Sequence, residues 1–364
     1  MDTHQNKSPI ILSVGGGKGG VGKSMVCSNL AVQYAQAGFK TVLIDLDVGA
    51  ANLHTIFGIR QPPRGLGEYF TTPRSQLIDY LIKTSVENLY LVPGSGFVPE
   101  LANLKHLQKV KIINQMRSIN ADLILLDLGA GSSINVVDFF SMTNAGIIVT
   151  TPEPTAIVNT YEFLKNVIYR ILFRMFRGQD ELFKVIKETA IPKDNKTTSI
   201  GDLIEAVRKI NPWAAENIQD VCDDLNFYVL FNQGRKPNEL ELIKKLHNIS
   251  NRYIGIPLNV SGIIFHNEEV QSSVIRMCPI SISSPESITT KTIRKHAMNI
   301  LNNVASQIKG ETAENSFEEQ YQRALNWANK DYVENLLTQK RIRKDQDRRD
   351  SKTAEIYQNS TADQ

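Results

Sequence analysis

The feature that most constrains this chain is a glycine-rich segment between a strand pattern and a helix pattern. Residues 10–14 are mostly apolar and predict a buried strand, and residues 25–36 predict a helix that ends near Gly38. The segment between them, residues 15–24, has the sequence GGGKGGVGKS. Glycines let several backbone N–H groups converge on a phosphate, because no side chain blocks the approach and positive φ angles are permitted. This order of strand, glycine loop and helix predicts a phosphate-binding loop at the start of an α/β fold.

The lysines and the serine of this loop have separate expected roles. Lys23 is expected to contact the β- and γ-phosphates of a nucleotide, and the Ser24 hydroxyl is expected to ligate Mg²⁺. Lys18 is an additional lysine on the rim of the loop, where it can meet a phosphate held by a second copy of the protein. The predicted nucleotide contacts of the loop are Gly17, Lys18, Gly19, Gly20, Val21, Gly22, Lys23 and Ser24.

The loop sequence KGGVGKS resembles that of the MinD/ParA ATPases, in which the early lysine reaches across a dimer that sandwiches two nucleotides. The resemblance implies ATP and Mg²⁺ as cofactors, a homodimer that forms with ATP, and slow, switch-type ATP hydrolysis. It also implies the fold class: an α/β P-loop NTPase of the MinD/ParA type, with a parallel β-sheet flanked by helices. To this fold the chain adds a helical insertion and a C-terminal helical tail.

Three aspartates end predicted strands. Asp45 and Asp47 close the apolar segment that begins at Thr41, and Asp127 closes the one that begins at Leu123. Ligands of open α/β sheets bind at the C-terminal edge of the strands, so we expect these carboxylates near the phosphate loop. Four apolar residues closed by an aspartate form a Walker B pattern, in which Asp127 would hold Mg²⁺ through water. The alternative is that the first two aspartates are solvated strand ends.

Two loops of small residues resemble the switch segments of MinD-like ATPases. The sequence DLDVGAANLH, residues 45–54, resembles the first switch. By that match Asp47 orients the attacking water, Asp45 supports the magnesium shell and Asn52 belongs to the switch loop. The second candidate follows the Walker B strand, where Gly129 and Gly131 can bring backbone N–H groups to a γ-phosphate.

The motifs LDLGAG, TPEPTAI and GAANLH together resemble one branch of that family, the FlhG (FleN) group, which controls flagellar number and placement. The resemblance implies that Glu153 approaches the nucleotide of the other subunit; from the residues alone, a glutamate that caps or solvates a turn is favoured. It also implies that Asn232 contacts adenine. Phe265 and Asn267 replace a proline and an aspartate of the family's adenine segment, so this chain departs from the pattern there.

The pattern along the chain predicts three parts. These are an N-terminal tail at residues 1–9, a nucleotide-binding domain at residues 10–309, and a helical, basic and partly disordered tail at residues 310–364. A helical insertion is expected within the domain at about residues 171–225.

A predicted helix at the start of the insertion carries a stripe of arginines. Arg170, Arg174 and Arg177 are spaced i, i+4 and i+7, with apolar residues over most of the remaining surface. The favoured interpretation packs the apolar face on the sheet and leaves the arginines in water. The alternative is a membrane or partner surface formed on dimerisation.

Composition narrows the class of protein. The chain of 364 residues has a net charge of +3, so no strong overall field selects nucleic acid or an acidic partner. Its three cysteines lie far apart and form no Cys-x-x-Cys pair, which favours a reducing compartment. No apolar stretch reaches the roughly 18–20 residues of a spanning helix. We therefore expect a cytoplasmic protein, or one held peripherally at the inner face of the cell membrane.

These patterns favour a dimeric ATPase switch of the MinD/FlhG type that governs the number or placement of flagella or of another cellular structure. Its expected partners are a second copy of the chain, a membrane surface, and a flagellar or polar protein. The first alternative is a ParA-like partition ATPase that binds DNA, for which the near-neutral charge gives little support. A second alternative is an iron–sulfur carrier of the Mrp type, which the unpaired cysteines disfavour.

Overall fold

The computed structural model describes residues 8–47, 51–94, 104–190, 199–311 and 316–338. Within these residues one sheet of eight strands forms the centre of the molecule, in the order β3-β4-β2-β5-β1-β6-β7-β8. Neighbouring strands are parallel except β3, which runs antiparallel to β4. The strands are β1 (Ile10–Gly15), β2 (Thr41–Asp45), β3 (Ile82–Lys83), β4 (Leu89–Val92), β5 (Leu123–Asp127), β6 (Ala145–Thr150), β7 (Phe227–Gly234) and β8 (Leu258–Phe265).

Helices cover both faces of this sheet, as a parallel sheet requires. The helices between β1 and β6 are α1 (Lys23–Gln36), α2 (Leu53–Ile56), α3 (Leu66–Thr71), α4 (His106–Arg117) and α5 (Ile134–Phe140). Those between β6 and β8 are α6 (Pro154–Met175), α7 (Asp180–Ala190), α8 (Ile200–Arg208), α9 (Pro212–Asp224) and α10 (Glu241–Ile254). Those after β8 are α11 (Glu268–Ile275), α12 (Ile280–Ser283), α13 (Ile288–Ile308) and α14, residues 317–338. Short 3₁₀ turns occupy Leu77–Tyr80 and Pro237–Leu240.

Two apolar cores lie on opposite faces of the sheet. One forms between the sheet and α1 and α13, with Leu30 and Ile293 among its buried members. The other includes side chains of α4, α5, α6 and α10, such as Ile112 and Leu164. The predicted fold class, a parallel sheet flanked by helices, is therefore confirmed.

Helices α7, α8 and α9 follow α6 and lead into β7, so they fill the stretch where extra helices were expected. Their buried side chains, Leu182, Leu203 and Ile218 among them, join the same core as α6 and α10. The expected start of the insertion at residue 171 falls inside α6, which is continuous to Met175. The bounds of the insertion and of the domains stay a prediction.

Arg170 and Arg174 of α6 contradict the expectation that the arginine stripe faces water, whereas Arg177 lies beyond the end of α6. Asp138 on α5 is buried, and it pairs with the Nε of Arg170 at 2.6 Å and with the Nη1 of Arg174 at 3.6 Å. The same carboxylate accepts a hydrogen bond of 2.7 Å from Lys109 on α4, which is also buried. Of the three arginines, Arg177 alone is exposed. Because the periodicity of α6 carries no information about α5, the sequence of the helix did not indicate this buried acceptor.

Helix α14 packs along β8, the strand at one edge of the sheet. The Oε1 of Gln320 accepts a hydrogen bond of 2.9 Å from the backbone N–H of Val260 in β8. At the other end of the helix, Asp331 is buried and accepts a hydrogen bond of 2.7 Å from Thr292 of α13. The expected basic cluster at residues 340–349 lies outside the described residues. No helix among those described is long and apolar enough to cross a membrane.

Candidate functional site

The loop between β1 and α1 has the shape that its glycines predict. A Cβ atom at Gly17 would lie 2.1 Å from the carbonyl oxygen of Asn159 on α6, so no larger residue fits there. Gly22 has a φ of 88° and precedes the first turn of α1, a conformation that favours glycine. The backbone of the loop is thereby held against α6 and leads directly into the helix N-terminus. That terminus carries a partial positive charge that suits a phosphate.

Lys23 and Ser24 begin α1 beside the end of β5. Lys23 is buried, and its Nζ lies 3.4 Å from the carbonyl oxygen of Lys18 across the loop. Burial lowers the pKa of Lys23, while the negative charges of Asp127 and Asp47 act in the opposite direction. The Ser24 hydroxyl hydrogen-bonds the Asp127 carboxyl group. The loop therefore places a cation and a hydroxyl together over the acidic strand ends.

Asp45 and Asp127 end adjacent parallel strands and stand opposite each other in the register. Burial raises the pKa of Asp45 to about 7 and that of Asp127 to about 8, and the charges of neighbouring aspartates add to both shifts. The Asp45 carboxylate accepts hydrogen bonds of 3.2 Å from the backbone N–H groups of Asp47 and Leu53. In contrast, the Oδ1 atom of Asp127 is buried with no hydrogen-bond partner.

A divalent cation fits this arrangement. The Ser24 hydroxyl and the carboxylates of Asp127 and Asp45 are hard oxygen donors, which is the ligand type that Mg²⁺ prefers. A cation beside Asp127 would also give its buried Oδ1 a partner and favour the ionised carboxylate. Among the described residues, no group of three or more His, Cys, Asp or Glu side chains could hold a metal by itself. Mg²⁺ usually takes one or two carboxylates and completes its shell with waters and substrate phosphates.

Asp47 and the second glycine loop meet at the same edge. A Cβ atom at Gly129 would lie 3.1 Å from the Oδ1 of Asp47, so the carboxylate rests against this glycine. Gly131, with a φ of 80°, donates its backbone N–H to the carbonyl oxygen of Gly16 at 3.2 Å. A backbone rearrangement at Gly129 would therefore move Asp47, and one at Gly131 would move the phosphate loop.

Asn52 lies at the surface, outside the cluster of Asp45, Asp47 and Asp127. It is exposed, directly precedes α2, and makes no side-chain hydrogen bond that caps the helix. Its backbone hydrogen-bonds Asp45, which anchors this end of the first switch candidate. Residues 48–50 between Asp47 and Ala51 lie outside the described residues.

Lys18 and Glu153 form a contact that the sequence did not suggest. Their side chains pair at 3.0 Å within one subunit, and they are 39% and 58% exposed. The structure thus places Lys18 on the open rim of the phosphate loop, with Glu153 against it. Their roles across a dimer stay a prediction.

Asn232 lies beneath the phosphate loop at the end of β7. It is buried, and its amide nitrogen donates to the carbonyl oxygen of Val21 at 2.9 Å. A Cβ atom on Gly22 would lie 2.3 Å from the same nitrogen, so the amide packs tightly against the loop. One N–H of the Asn232 amide is therefore used by the protein backbone.

A cavity of about 370 Å³ adjoins the loop on the side of β6, β7 and β8. Its lining residues are Thr151, Pro152, Glu153, Gln233, Arg235, Glu239 and His266. The Thr151 hydroxyl is buried and has no hydrogen-bond partner. Gln233 has a φ of 60°, which is unusual outside glycine. The sequence analysis did not identify Thr151 or Gln233. Each lies at or beside the end of a strand of the predicted parallel sheet, and this position alone could have indicated a place near the site.

Phe265 and Asn267, the residues that differ from the family's adenine segment, make structural contacts in this fold. Phe265 packs its ring on Tyr332 of α14, with centroids 5.5 Å apart. Asn267 accepts a hydrogen bond of 2.9 Å from the backbone N–H of Glu269 and so caps α11, while its amide donates to Thr289. Neither side chain lines the cavity.

Comparison with known proteins matches residues 12–280 to a family model described as the CobQ/CobB/MinD/ParA nucleotide binding domain. The antiactivator FleN of Pseudomonas aeruginosa is 25% identical over 280 residues, which cover 76% of this chain and 81% of FleN. The flagellum site-determining protein YlxH of Helicobacter pylori is 31% identical over 192 residues, covering 51% of this chain and 60% of YlxH. Among solved structures, the septum site-determining protein MinD of Pyrococcus horikoshii, complexed with Mg-ADP, superposes with a TM-score of 0.55 at 18% identity. That match covers 84% of this chain and 100% of the other.

Proposed function

The chain belongs to the CobQ/CobB/MinD/ParA nucleotide-binding family, and we propose that it is an ATP-hydrolysing switch that dimerises when it binds ATP with Mg²⁺. The observation that carries the proposal is the position of Lys18. Lys23 already points its ammonium group into the loop, whereas the side chain of Lys18 stands on the exposed rim. A second lysine at the rim can bind a phosphate that approaches from outside the loop. In a face-to-face dimer, that phosphate would belong to the nucleotide of the other copy.

The site contains the groups that nucleotide hydrolysis by water needs. Lys23 and the N-terminus of α1 stabilise charge on the phosphates. Ser24, Asp127 and Asp45 would hold Mg²⁺, which supplies further positive charge when it is bound. Asp47 lies against Gly129 of the second switch candidate, where its carboxylate can accept a hydrogen bond from an attacking water.

Apolar side chains beside the loop support a contact with a second copy. Val158 is 60% exposed and immediately precedes Asn159, the residue that packs on Gly17. Ile134 is 58% exposed and is the first residue of α5, directly after the second switch candidate. Both side chains are apolar surface that a protein–protein contact could bury. A dimer closed over the loop would cover both of them.

We further propose that this switch governs the number or placement of flagella. This finer role is supported by one relative whose name states it, since YlxH is called a flagellum site-determining protein. On this proposal the dimer binds a flagellar or polar protein, or a membrane surface. Deletion of the gene in a flagellated host should change the number or position of flagella seen by electron microscopy. Unchanged flagella would remove this role while leaving the ATPase proposal in place.

DNA partition is less favoured. Arg170 and Arg174 belong to the arginine stripe that could have supplied positive charge to DNA, but both are engaged by Asp138. ATP-dependent DNA affinity that falls steeply with salt would nevertheless restore this alternative.

Replacement of Lys18 by alanine tests the switch. Lys18→Ala is expected to bind ATP with nearly unchanged affinity, because Lys23 and the backbone of the loop remain. It is also expected to lose ATP-dependent dimerisation in sedimentation velocity and, with it, hydrolysis. Lys184→Ala, which removes an exposed lysine of α7, is the matched control and should behave as the wild type. A Lys18→Ala protein that dimerises and hydrolyses normally would overturn the role of Lys18.

A further inference from the structure

We propose that α6 carries a binding site for a phosphate group where it packs against α5, built from the guanidinium groups of Arg170 and Arg174. Both arginines face Asp138 on α5. Arg170 lies about 16 Å along α6 from Asn159, the residue that packs on the phosphate loop, because an α-helix rises by about 1.5 Å per residue. The site is therefore separate from the phosphate loop, and the inference goes beyond the proposed function.

Positive charges outnumber negative ones at this junction. Within the described part of the chain, Asp138 is the one carboxylate that forms ion pairs there, and it faces three cations: Lys109, Arg170 and Arg174. Two positive charges are therefore left without a counter-charge. Burial lowers the pKa of the Arg174 guanidinium and the charge of Arg170 adds to this effect, whereas Asp138 opposes it. Because charged groups inside proteins are normally paired, the surplus favours the binding of an anion.

The Asp138 carboxylate has little capacity left for this surplus. Its Oδ1 accepts a hydrogen bond of 2.6 Å from the Nε of Arg170. Its Oδ2 accepts from the Nζ of Lys109 at 2.7 Å and from the Nη2 of Arg170 at 3.0 Å. The Nη1 of Arg174 lies 3.6 Å from Oδ1, which is too long for a hydrogen bond, and this buried nitrogen has no hydrogen-bond partner among the described residues. Arg174 thus keeps N–H donors for an incoming anion.

The two guanidinium groups are partly open to solvent. The side chains of Arg170 and Arg174 are 34% and 25% exposed, whereas that of Lys109 is only 2% exposed. The Nη2 of Arg174 donates to the Ser141 hydroxyl at 2.9 Å, which holds this guanidinium at the junction. A ligand would therefore approach the two arginines, while Lys109 remains the inner partner of Asp138.

A phosphate dianion fits this arrangement best among small anions. The parallel N–H donors of a guanidinium group match two oxygens of a phosphate, and two neighbouring groups can engage one tetrahedral phosphate together. Its two negative charges equal the surplus of the cluster, whereas a carboxylate supplies one. Because the arginines are mostly buried between two helices, a soluble phosphate group can reach them more easily than a headgroup held in the plane of a bilayer.

Titration calorimetry of the full chain with potassium phosphate tests the site. A non-hydrolysable ATP analogue with Mg²⁺ fills the phosphate loop, and potassium chloride of equal ionic strength is the blank. The wild type is expected to bind one phosphate per subunit under these conditions. Arg174→Gln should weaken this binding at least about tenfold, through loss of a charge-assisted hydrogen bond, while Asp138 keeps Lys109 and Arg170 as partners. Arg177→Gln removes the exposed arginine of the same stripe and is the matched control, which should bind as the wild type does.

Asp138→Asn tests the site in the opposite direction. Loss of the carboxylate removes an anion from beside the two guanidinium groups, so phosphate should bind at least about tenfold more tightly. Phosphate should also raise the urea midpoint of this variant by more than that of the wild type, because a ligand that binds the folded state stabilises it.

Equal phosphate affinities in the wild type and Arg174→Gln, or an equal loss in Arg177→Gln, would overturn the inference. Sedimentation with vesicles of phosphatidylglycerol distinguishes a lipid source of the phosphate group. Vesicle binding that requires Arg174 and that free phosphate does not displace would overturn the assignment to a soluble anion. Failure of the proposed function would leave these comparisons intact, since the variants differ from the wild type only in and beside α5 and α6.

Discussion

Replacement of Asp138 by asparagine should destabilise the protein strongly. The carboxylate is 1% exposed and is the shared partner of Lys109, Arg170 and Arg174, which come from two different helices. The Lys109 side chain is only 2% exposed, so in Asp138→Asn its ammonium group would remain buried without a counter-charge. Removal of one partner of a buried ion pair costs about 3–5 kcal/mol of unfolding free energy. We take about 3 kcal/mol, because asparagine retains one neutral acceptor.

Urea denaturation followed by circular dichroism measures this loss. With a denaturant dependence of about 3 kcal/mol per molar urea, a loss of about 3 kcal/mol moves the midpoint down by about 1 M. Glu318→Gln, which breaks an exposed pair with Lys244, is the control and should leave the midpoint almost unchanged. The double variant Lys109→Met with Asp138→Asn should recover part of the loss, since the buried cation is gone. A midpoint for Asp138→Asn equal to that of the control would refute the reasoning.

The pH dependence of the stability gives an independent check on the ion pairs of Asp138. Burial alone would raise the pKa of Asp138, but hydrogen bonds from Arg170 and Lys109 outweigh it, and the pKa is lowered. A carboxyl group with a folded-state pKa below its unfolded value of about 3.9 stabilises the fold above that value. This stabilisation is lost as the pH falls through the lower folded-state pKa. The difference in unfolding free energy between the wild type and Asp138→Asn should therefore be constant between about pH 5 and 8. It should shrink below about pH 4.

Three further substitutions test the site. Asp47→Ala should bind ATP and dimerise yet not hydrolyse it, leaving a long-lived dimer in sedimentation; hydrolysis at the wild-type rate would remove Asp47 as the group that orients water. Asp127→Ala should instead weaken Mg²⁺-dependent ATP binding itself, measured by calorimetry with and without Mg²⁺, and equal affinities in both conditions for the wild type would contradict the metal assignment. Gly17→Ala should lose nucleotide binding, because its Cβ would meet the carbonyl oxygen of Asn159 at 2.1 Å; normal binding would show that the loop can shift there at little cost.

The sequence predicted well those parts of the site that follow from sheet geometry. Asp45 and Asp127 could be placed together because parallel strands present their C-terminal ends at one edge, and the register sets these two residues opposite each other. The glycines and Lys23 followed from the loop spacing alone. Each of these inferences needed only a short local pattern and one general rule of the fold.

The remaining features depend on contacts between distant segments. Lys18 and Glu153 are separated by 135 positions, and nothing in either local sequence indicates that they pair. The stripe containing Arg170 was misread for the same reason, since its acceptor lies on another helix. The positive φ of Gln233 arises from a register shift between two strands, which side-chain patterning does not encode.

The position of α14 bears on how copies of this protein avoid uncontrolled association. An uncovered edge strand presents free N–H and C=O groups that can pair with another chain and seed aggregates. Strand β8 lies at one edge of the sheet, but α14 covers part of it. Gln320 accepts a hydrogen bond from the backbone N–H of Val260, and the ring of Tyr332 packs on Phe265. A chain cut before residue 316 would retain the phosphate loop and the eight strands of the described sheet, but it would expose this edge to other molecules. We therefore expect α14 to limit association through this edge, and truncated versions should be tested by light scattering before their activity is interpreted.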